Sequence, residues 1–182
     1  MPRYVALFRG INVGKAKRIA MADLRKLLEK IGYTDVKTLL NSGNAIFTGG
    51  AGANAKHAER IRTAVAKQLG VDAVVVIKSS QDIAAIMAGN ELDKIASDPA
   101  RLLVAVTDDA ATMANLEAVA AMPWGNEKVL VGRQAAYVWC ADGILESAAL
   151  TAVMKGLAGT GTTRNWATLG KIHGLLAQTG GS

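Results

Sequence analysis

The chain has 182 residues, 51% hydrophobic and 20% charged, a balance that excludes disorder and supplies a core without disulfide or metal staples. Lys and Arg number 21 against 15 Asp and Glu, and the excess is local: residues 1–80 carry 14 basic and 5 acidic side chains, residues 81–182 carry 7 and 10. One cysteine, Cys140, excludes an internal disulfide and a cysteine-rich zinc site, and the two histidines, His57 and His173, lie far from it and from each other, so no metal site is expected.

Residues 3–8 read as a buried strand, too short an apolar run for a signal peptide and followed by Arg9. A polar loop, Arg9–Ala20, leads to a helix over 21–31 whose apolar face is Leu24, Leu27, Leu28 and Ile31, with Gly32 placed to end it. Strands at 35–40 and 44–48 flank the turn formers Asn41-Ser42-Gly43-Asn44. A helix over 54–69 turns Ala58, Ile61, Val65 and Leu69 inward, ends at Gly70, and precedes a strand at 73–78. The order β-α-β-β-α-β is that of the ferredoxin-like split βαβ unit. The second half predicts a helix at 80–89 capped by Ser79 or Ser80, an irregular stretch Asn90–Pro99, and a strand at 101–107. A helix at 110–121, strands at 127–131 and 135–140, a helix at 146–155, a mobile Gly-rich joint over 156–162 and a last helix over 165–178 follow. Residues 101–155 repeat β-α-β-β-α by element order alone, with no side-chain repeat. The expected fold is α+β: two ferredoxin-like subdomains with antiparallel sheets, 1–80 and 81–182, plus a C-terminal helix. Cys140, at the end of the strand-like Tyr137-Val138-Trp139, reads as a packed thiol. No stretch approaches the roughly 20 apolar residues of a membrane helix, so a cytoplasmic location and no membrane partner are expected.

Three familiar nucleotide or catalytic signatures fail. Gly10-Ile11-Asn12-Val13-Gly14-Lys15-Ala16 follows a strand, but a nucleotide P-loop needs four residues between its glycines and Ser or Thr after the Lys. Gly156–Gly161 follows no predicted strand and is no dinucleotide fingerprint. Asp108-Asp109, at a strand end, reads as a helix cap. What remains is polar and basic. In a ferredoxin-like sheet of order 4-1-3-2, the end of strand one and the strand two/three turn share a rim. That geometry groups Arg9, Asn12 and Lys15 with Ser42 and Asn44, and Lys17 and Arg18 extend the charge. Arg suits bidentate anion binding, glycines allow close backbone approach, and Ser and Asn donate hydrogen bonds. A second cluster, Thr162-Thr163-Arg164-Asn165-Trp166, lies at the start of the last helix, with Thr162 or Thr163 as its cap, Arg164 beside the free amides, and Trp166 as stacking face or core anchor. Of the aromatics, Tyr4, Phe8 and Phe47 fall on strands without the basic-aromatic pattern of RNA-binding sheets.

Tyr4–Lys15 (YVALFRGINVGK), Met21-Ala22-Asp23-Leu24, Gly32–Thr38, the Asn41–Phe47 segment and Thr163-Arg164-Asn165-Trp166 together resemble the bacterial domain of unknown function 1697 family over nearly the whole chain. The resemblance implies an α+β fold with ferredoxin-like subunits in a bacterial cytoplasmic protein, and brings no activity, cofactor or catalytic residue. The chain departs from the family pattern with Lys15 in place of a common Gly, which adds charge, and with Ala167 in place of Asn, which removes a polar group beside Trp166.

The leading reading is a protein that binds a small phosphate- or carboxylate-bearing ligand through Arg9, Asn12, Lys15, Ser42 and Asn44, with Arg164, Asn165 and Trp166 closing the site. A nucleic-acid binder using the basic half is the alternative, and its affinity would fall steeply with salt. An enzyme at the same rim lacks a His or carboxylate in these motifs to serve as base. A scaffold without ligand is the remaining class. No cofactor is implied, and oligomeric state is left open.

Overall fold

A computed structural model describes residues Met1–Gln178. The chain divides into two compact units, one formed by Met1–Gln81 with the residues from Ile172 on, the other by Asp82–Lys171.

The first unit runs β1 (Arg3–Phe8), α1 (Met21–Lys30), β2 (Thr34–Leu39), β3 (Asn44–Thr48), α2 (Asn54–Leu69) and β4 (Val75–Ser79). Its sheet has the order β2-β3-β1-β4 with every pair antiparallel, the split βαβ arrangement. The period-2 pattern of β1 turns Tyr4, Ala6 and Phe8 toward Leu24, Leu27 and Leu28 of α1 and Ile61 and Val65 of α2. Val5 and Leu7, on the other face, are buried as well. Tyr4 stacks on Phe47 at 5.5 Å, so the strand aromatics are core. Gly32 and Gly70, at φ 102° and 70°, follow the two helices in the left-handed conformation that lets a helix end.

The second unit contains the greater part of α3 (Ser80–Ala88), a short 3-10 helix (Glu91–Lys94) within the stretch expected to be irregular, and β5 (Leu102–Thr107). Then follow α4 (Ala110–Ala120), β6 (Lys128–Val131), β7 (Ala135–Trp139), α5 (Ala148–Gly156), β8 (Gly161–Asn165) and α6 (Trp166–Ala177), the last of which passes into the first unit at Ile172. The sheet order is β6-β7-β5-β8, again antiparallel throughout. Leu103, Ala105, Leu116, Val138, Cys140 and Val153 form its core. Cys140 is fully buried, and that burial pushes its thiol up. The oxygen of Asp109 accepts from the amides of Ala111 and Thr112, the cap expected there.

Strand β8 corrects the sequence reading, which carried the Gly-rich joint to residue 162 and gave Thr162 or Thr163 to the cap of α6. Gly161 opens the strand because nothing larger fits: a Cβ there would lie 2.3 Å from the carbonyl oxygen of Val106. With β8 in place the second unit completes the same β-α-β-β-α-β order as the first. The pairing repeats residue by residue: Val5 faces Lys78 as Val104 faces Arg164, and Tyr4 faces Ser79 as Leu103 faces Asn165. The repeat absent from the side-chain sequence is therefore present in strand register.

Candidate functional site

The candidate rim is a product of strand direction. Both β1 and β2 run antiparallel to β3, so they run the same way, and the end of β1 lies beside the β2–β3 turn. The amide of Phe8 donates to the Gly43 carbonyl at 2.9 Å and that of Arg9 to Val74 at 2.9 Å. Gly43 is at φ 92°, and a Cβ there would meet Ile11 Cδ1 at 2.6 Å and Phe8 Cβ at 2.9 Å, so only glycine lets the turn close on the loop.

Asn12 holds the loop to the turn. Its Nδ2 donates to the carbonyls of Ile19 and Asn41, both at 2.9 Å, and its Oδ1 accepts from the Ile19 amide at 2.8 Å. Its own amide donates to Lys17 O at 3.0 Å. Arg18 closes the same loop from outside, its Nη1 donating to the carbonyls of Asn12 at 3.2 Å and Gly14 at 3.1 Å. Asn44 is buried and donates to Leu39 O at 2.7 Å and to the hydroxyl of exposed Ser42 at 3.2 Å. The polar atoms of Asn12 thus shape the rim, and Asn44 shapes the turn beneath it.

The loop backbone has an unusual shape. Gly10, Asn12 and Gly14 have φ of 66°, 56° and 66°, alternating with residues outside the left-handed region, and Lys17 follows at 50°. Left-handed residues recurring through a short loop are a setting in which successive N–H groups can converge on an anion. A Cβ on Gly10 or Gly14 would meet nothing within 4 Å, so conformation and not crowding calls for glycine there. Among the described residues no protein acceptor takes the amides of Val13, Gly14 or Lys15. Lys15, Lys17 and Arg18 are exposed and Arg9 half-buried, and no acidic residue precedes Asp23 in the chain. Asp72, close enough to Lys17 to feel its charge, is held by Arg62 at 2.7 and 3.1 Å, and that hydrogen-bonded pairing keeps its carboxyl below the usual range.

The structure therefore brings the loop that carries Arg9, Asn12 and Lys15 against the turn that carries Ser42 and Asn44, and Arg164, Asn165 and Trp166 lie in the other unit. There Arg164 is buried in β8, donating to Thr162 Oγ1 at 2.9 Å and Thr163 O at 2.8 Å. Burial pushes its guanidinium down to about 10, which leaves it charged at neutral pH. Asn165 caps α6, its Oδ1 accepting from Thr168 N at 2.8 Å. Trp166 is half-buried.

Two buried polar groups had no signal in the sequence reading. His57 is bound at both ring nitrogens, Nδ1 to the Tyr33 hydroxyl at 2.8 Å and Nε2 to Gly50 O at 3.1 Å. A carbonyl only accepts, so the proton sits on Nε2. Glu127 accepts from the Ser147 hydroxyl at 2.5 Å and the Ala149 amide at 3.2 Å, which places a carboxylate at the positive end of α5. Ser147, as the cap of an apolar run, was readable locally; its partner twenty residues away was not.

The sequence pattern of the family described as protein of unknown function DUF1697 matches residues 1–137. The chain belongs to the DUF1697 family. That match includes the entire rim, from the β1 loop to the β2–β3 turn. No functionally curated protein matches the chain. A solved structure of a conserved bacterial protein from Streptococcus pneumoniae is similar at 25% identity and a TM-score of 0.79, covering 96% of this chain and 98% of that one. The likeness spans both units of this DUF1697 protein. Among its described residues no helix is long and apolar enough to cross a membrane.

Proposed function

We propose that this DUF1697 protein binds a small phosphate- or carboxylate-bearing ligand at the rim formed by the β1–α1 loop and the β2–β3 turn. The observation that carries the reading is the alternation of left-handed φ at Gly10, Asn12 and Gly14. It presents backbone amides that have no protein acceptor among the described residues, in the loop that carries Arg9, Lys15 and Lys17. Amides bind the anion, the cations raise its local concentration, and Asn12 and Asn44 act as positioning residues through the bonds that shape loop and turn. Ser42 is exposed at the turn, where its hydroxyl accepts from Asn44. The reading rests on the first unit alone; Arg164 and Asn165 have their own bonds in the second.

The test is an amide NMR titration with inorganic phosphate, citrate and a short single-stranded oligonucleotide, each at two salt concentrations. Saturable shifts over Gly10–Lys15 with a small anion are expected, with affinity about tenfold weaker in Gly14→Ala, where the left-handed conformation becomes costly. Diffuse shifts from the oligonucleotide alone, collapsing with salt, would replace the reading with nucleic-acid binding. Burial of Tyr4, Phe8 and Phe47 removes the strand aromatics on which bases would stack and favours the small ligand.

A further inference from the structure

We infer that the second unit carries a separate binding cavity for a small apolar molecule bearing one carboxylate, between α3 and the β6–β7 hairpin. The space there is about 470 Å³, within the roughly 300–1,000 Å³ range of small-molecule sites. Its floor is the ring of Tyr137 with Ile86, and Ala85 of α3 forms a wall.

Small residues keep the space open. A Cβ on Gly89 would stand 3.1 Å from Tyr137 Oη, and one on Gly132 would stand 3.3 Å from Tyr137 Cε2. Any side chain at either position would press on the ring and take up the volume beside it. The ring itself is fixed. Its hydroxyl donates to Ile86 O at 2.7 Å, and burial pushes the phenol up, so it stays protonated and committed to that carbonyl. The ring accordingly offers the cavity an apolar face and no free hydroxyl.

Polarity enters from one side. Gly132 N donates to Ala135 O at 2.8 Å, closing a two-residue hairpin with Arg133 and Gln134 at its tip. Arg133 is the one charged residue lining the cavity and, among the described residues, stands in no ion pair. A guanidinium matches a carboxylate with two parallel hydrogen bonds, and the Gln134 amide adds a donor or acceptor beside it. An apolar floor with one cation at the rim selects an amphipathic monoanion and offers nothing to a polyphosphate.

Titration of the full-length protein with benzoate, and with benzamide as the uncharged counterpart, tests this by amide NMR. Benzoate is expected to shift amides over 85–89 and 132–137 saturably. Benzamide and the Arg133→Ala variant should each bind about tenfold more weakly, from loss of the charge-assisted pair. Ala85→Phe, at an exposed position of α3, should fill the cavity and abolish the shifts, and Lys15→Ala should leave them unchanged. Absence of benzoate shifts in these segments, equal binding of benzamide, or undiminished binding in Ala85→Phe would each overturn the inference. Should Ala85→Phe fold poorly, Arg133→Ala and the benzamide comparison decide it alone.

Discussion

At the scale of single residues, Asn12 does the most for the rim. Three side-chain hydrogen bonds and a left-handed φ of 56° meet in one position. The two contributions separate by substitution. Asn12→Gly keeps the conformation and loses the bonds, and is expected to cost about 1–3 kcal/mol. Asn12→Ala loses both and should cost about 1 kcal/mol more. Urea denaturation of the two variants measures the difference, and equal stabilities would show that conformation is not strained there. Gly-x-Asn-x-Gly was legible as a turn-forming string because Gly and Asn tolerate positive φ. That all three adopt it in alternation was not legible, since each residue is also at ease elsewhere. Tyr137 yields a pH prediction. Burial holds its phenol above the ordinary value near 10, so its contribution is whole below that pH and is lost as pH rises through the folded value. The stability advantage of the wild type over Tyr137→Phe, about 1 kcal/mol, should stay constant from pH 6 to about pH 9 and shrink beyond about pH 10. An advantage that changes near neutrality would contradict the assignment.

At the scale of elements, strand β8 shows where local reading stops. Its five residues, Gly161-Thr162-Thr163-Arg164-Asn165, follow a Gly-rich stretch and contain no apolar alternation. The strand exists because β5 pairs with it from Leu103 to Thr107, a partner that local propensity does not reveal. Gly161→Ala would drive a methyl against the Val106 carbonyl. The expected result is a loss of about 3 kcal/mol or more, read as a lowered melting temperature; a near-neutral effect would mean that the strand end shifts freely. Helix faces are more legible. The apolar faces of α1 and α2 were visible from spacing alone, and Leu24, Leu27, Leu28, Ile61 and Val65 are buried as that spacing required. Ala58 and Leu69, assigned to the same face of α2, are only partly buried.

At the scale of the whole molecule, the first unit includes the last turn of α6. Arg3 Nη1 donates to Leu175 O at 2.7 Å, to Leu176 O at 3.1 Å and to Gln178 O, which places a cation on the final carbonyls of α6. Arg3→Ala is expected to cost about 1–3 kcal/mol by leaving those carbonyls without their donor, with hydrogen exchange over 172–176 accelerating before that of β1. Unchanged exchange there would show that the contact contributes nothing. The charge contrast between the two halves of the sequence takes spatial form at the rim, where Arg9, Lys15, Lys17 and Arg18 occupy one loop. Most elements, the split βαβ order of the first unit, and the meeting of the β1 loop with the β2–β3 turn are legible in the order of residues, because apolar period and turn chemistry are local and the sheet order follows from the motif. The pairing of β8, the acceptors of Arg3, the bonds of Asn12 and the cavity over Tyr137 arise from contacts between distant segments. Each depends on groups that approach through folding, and the residues involved are chemically at ease in several other settings.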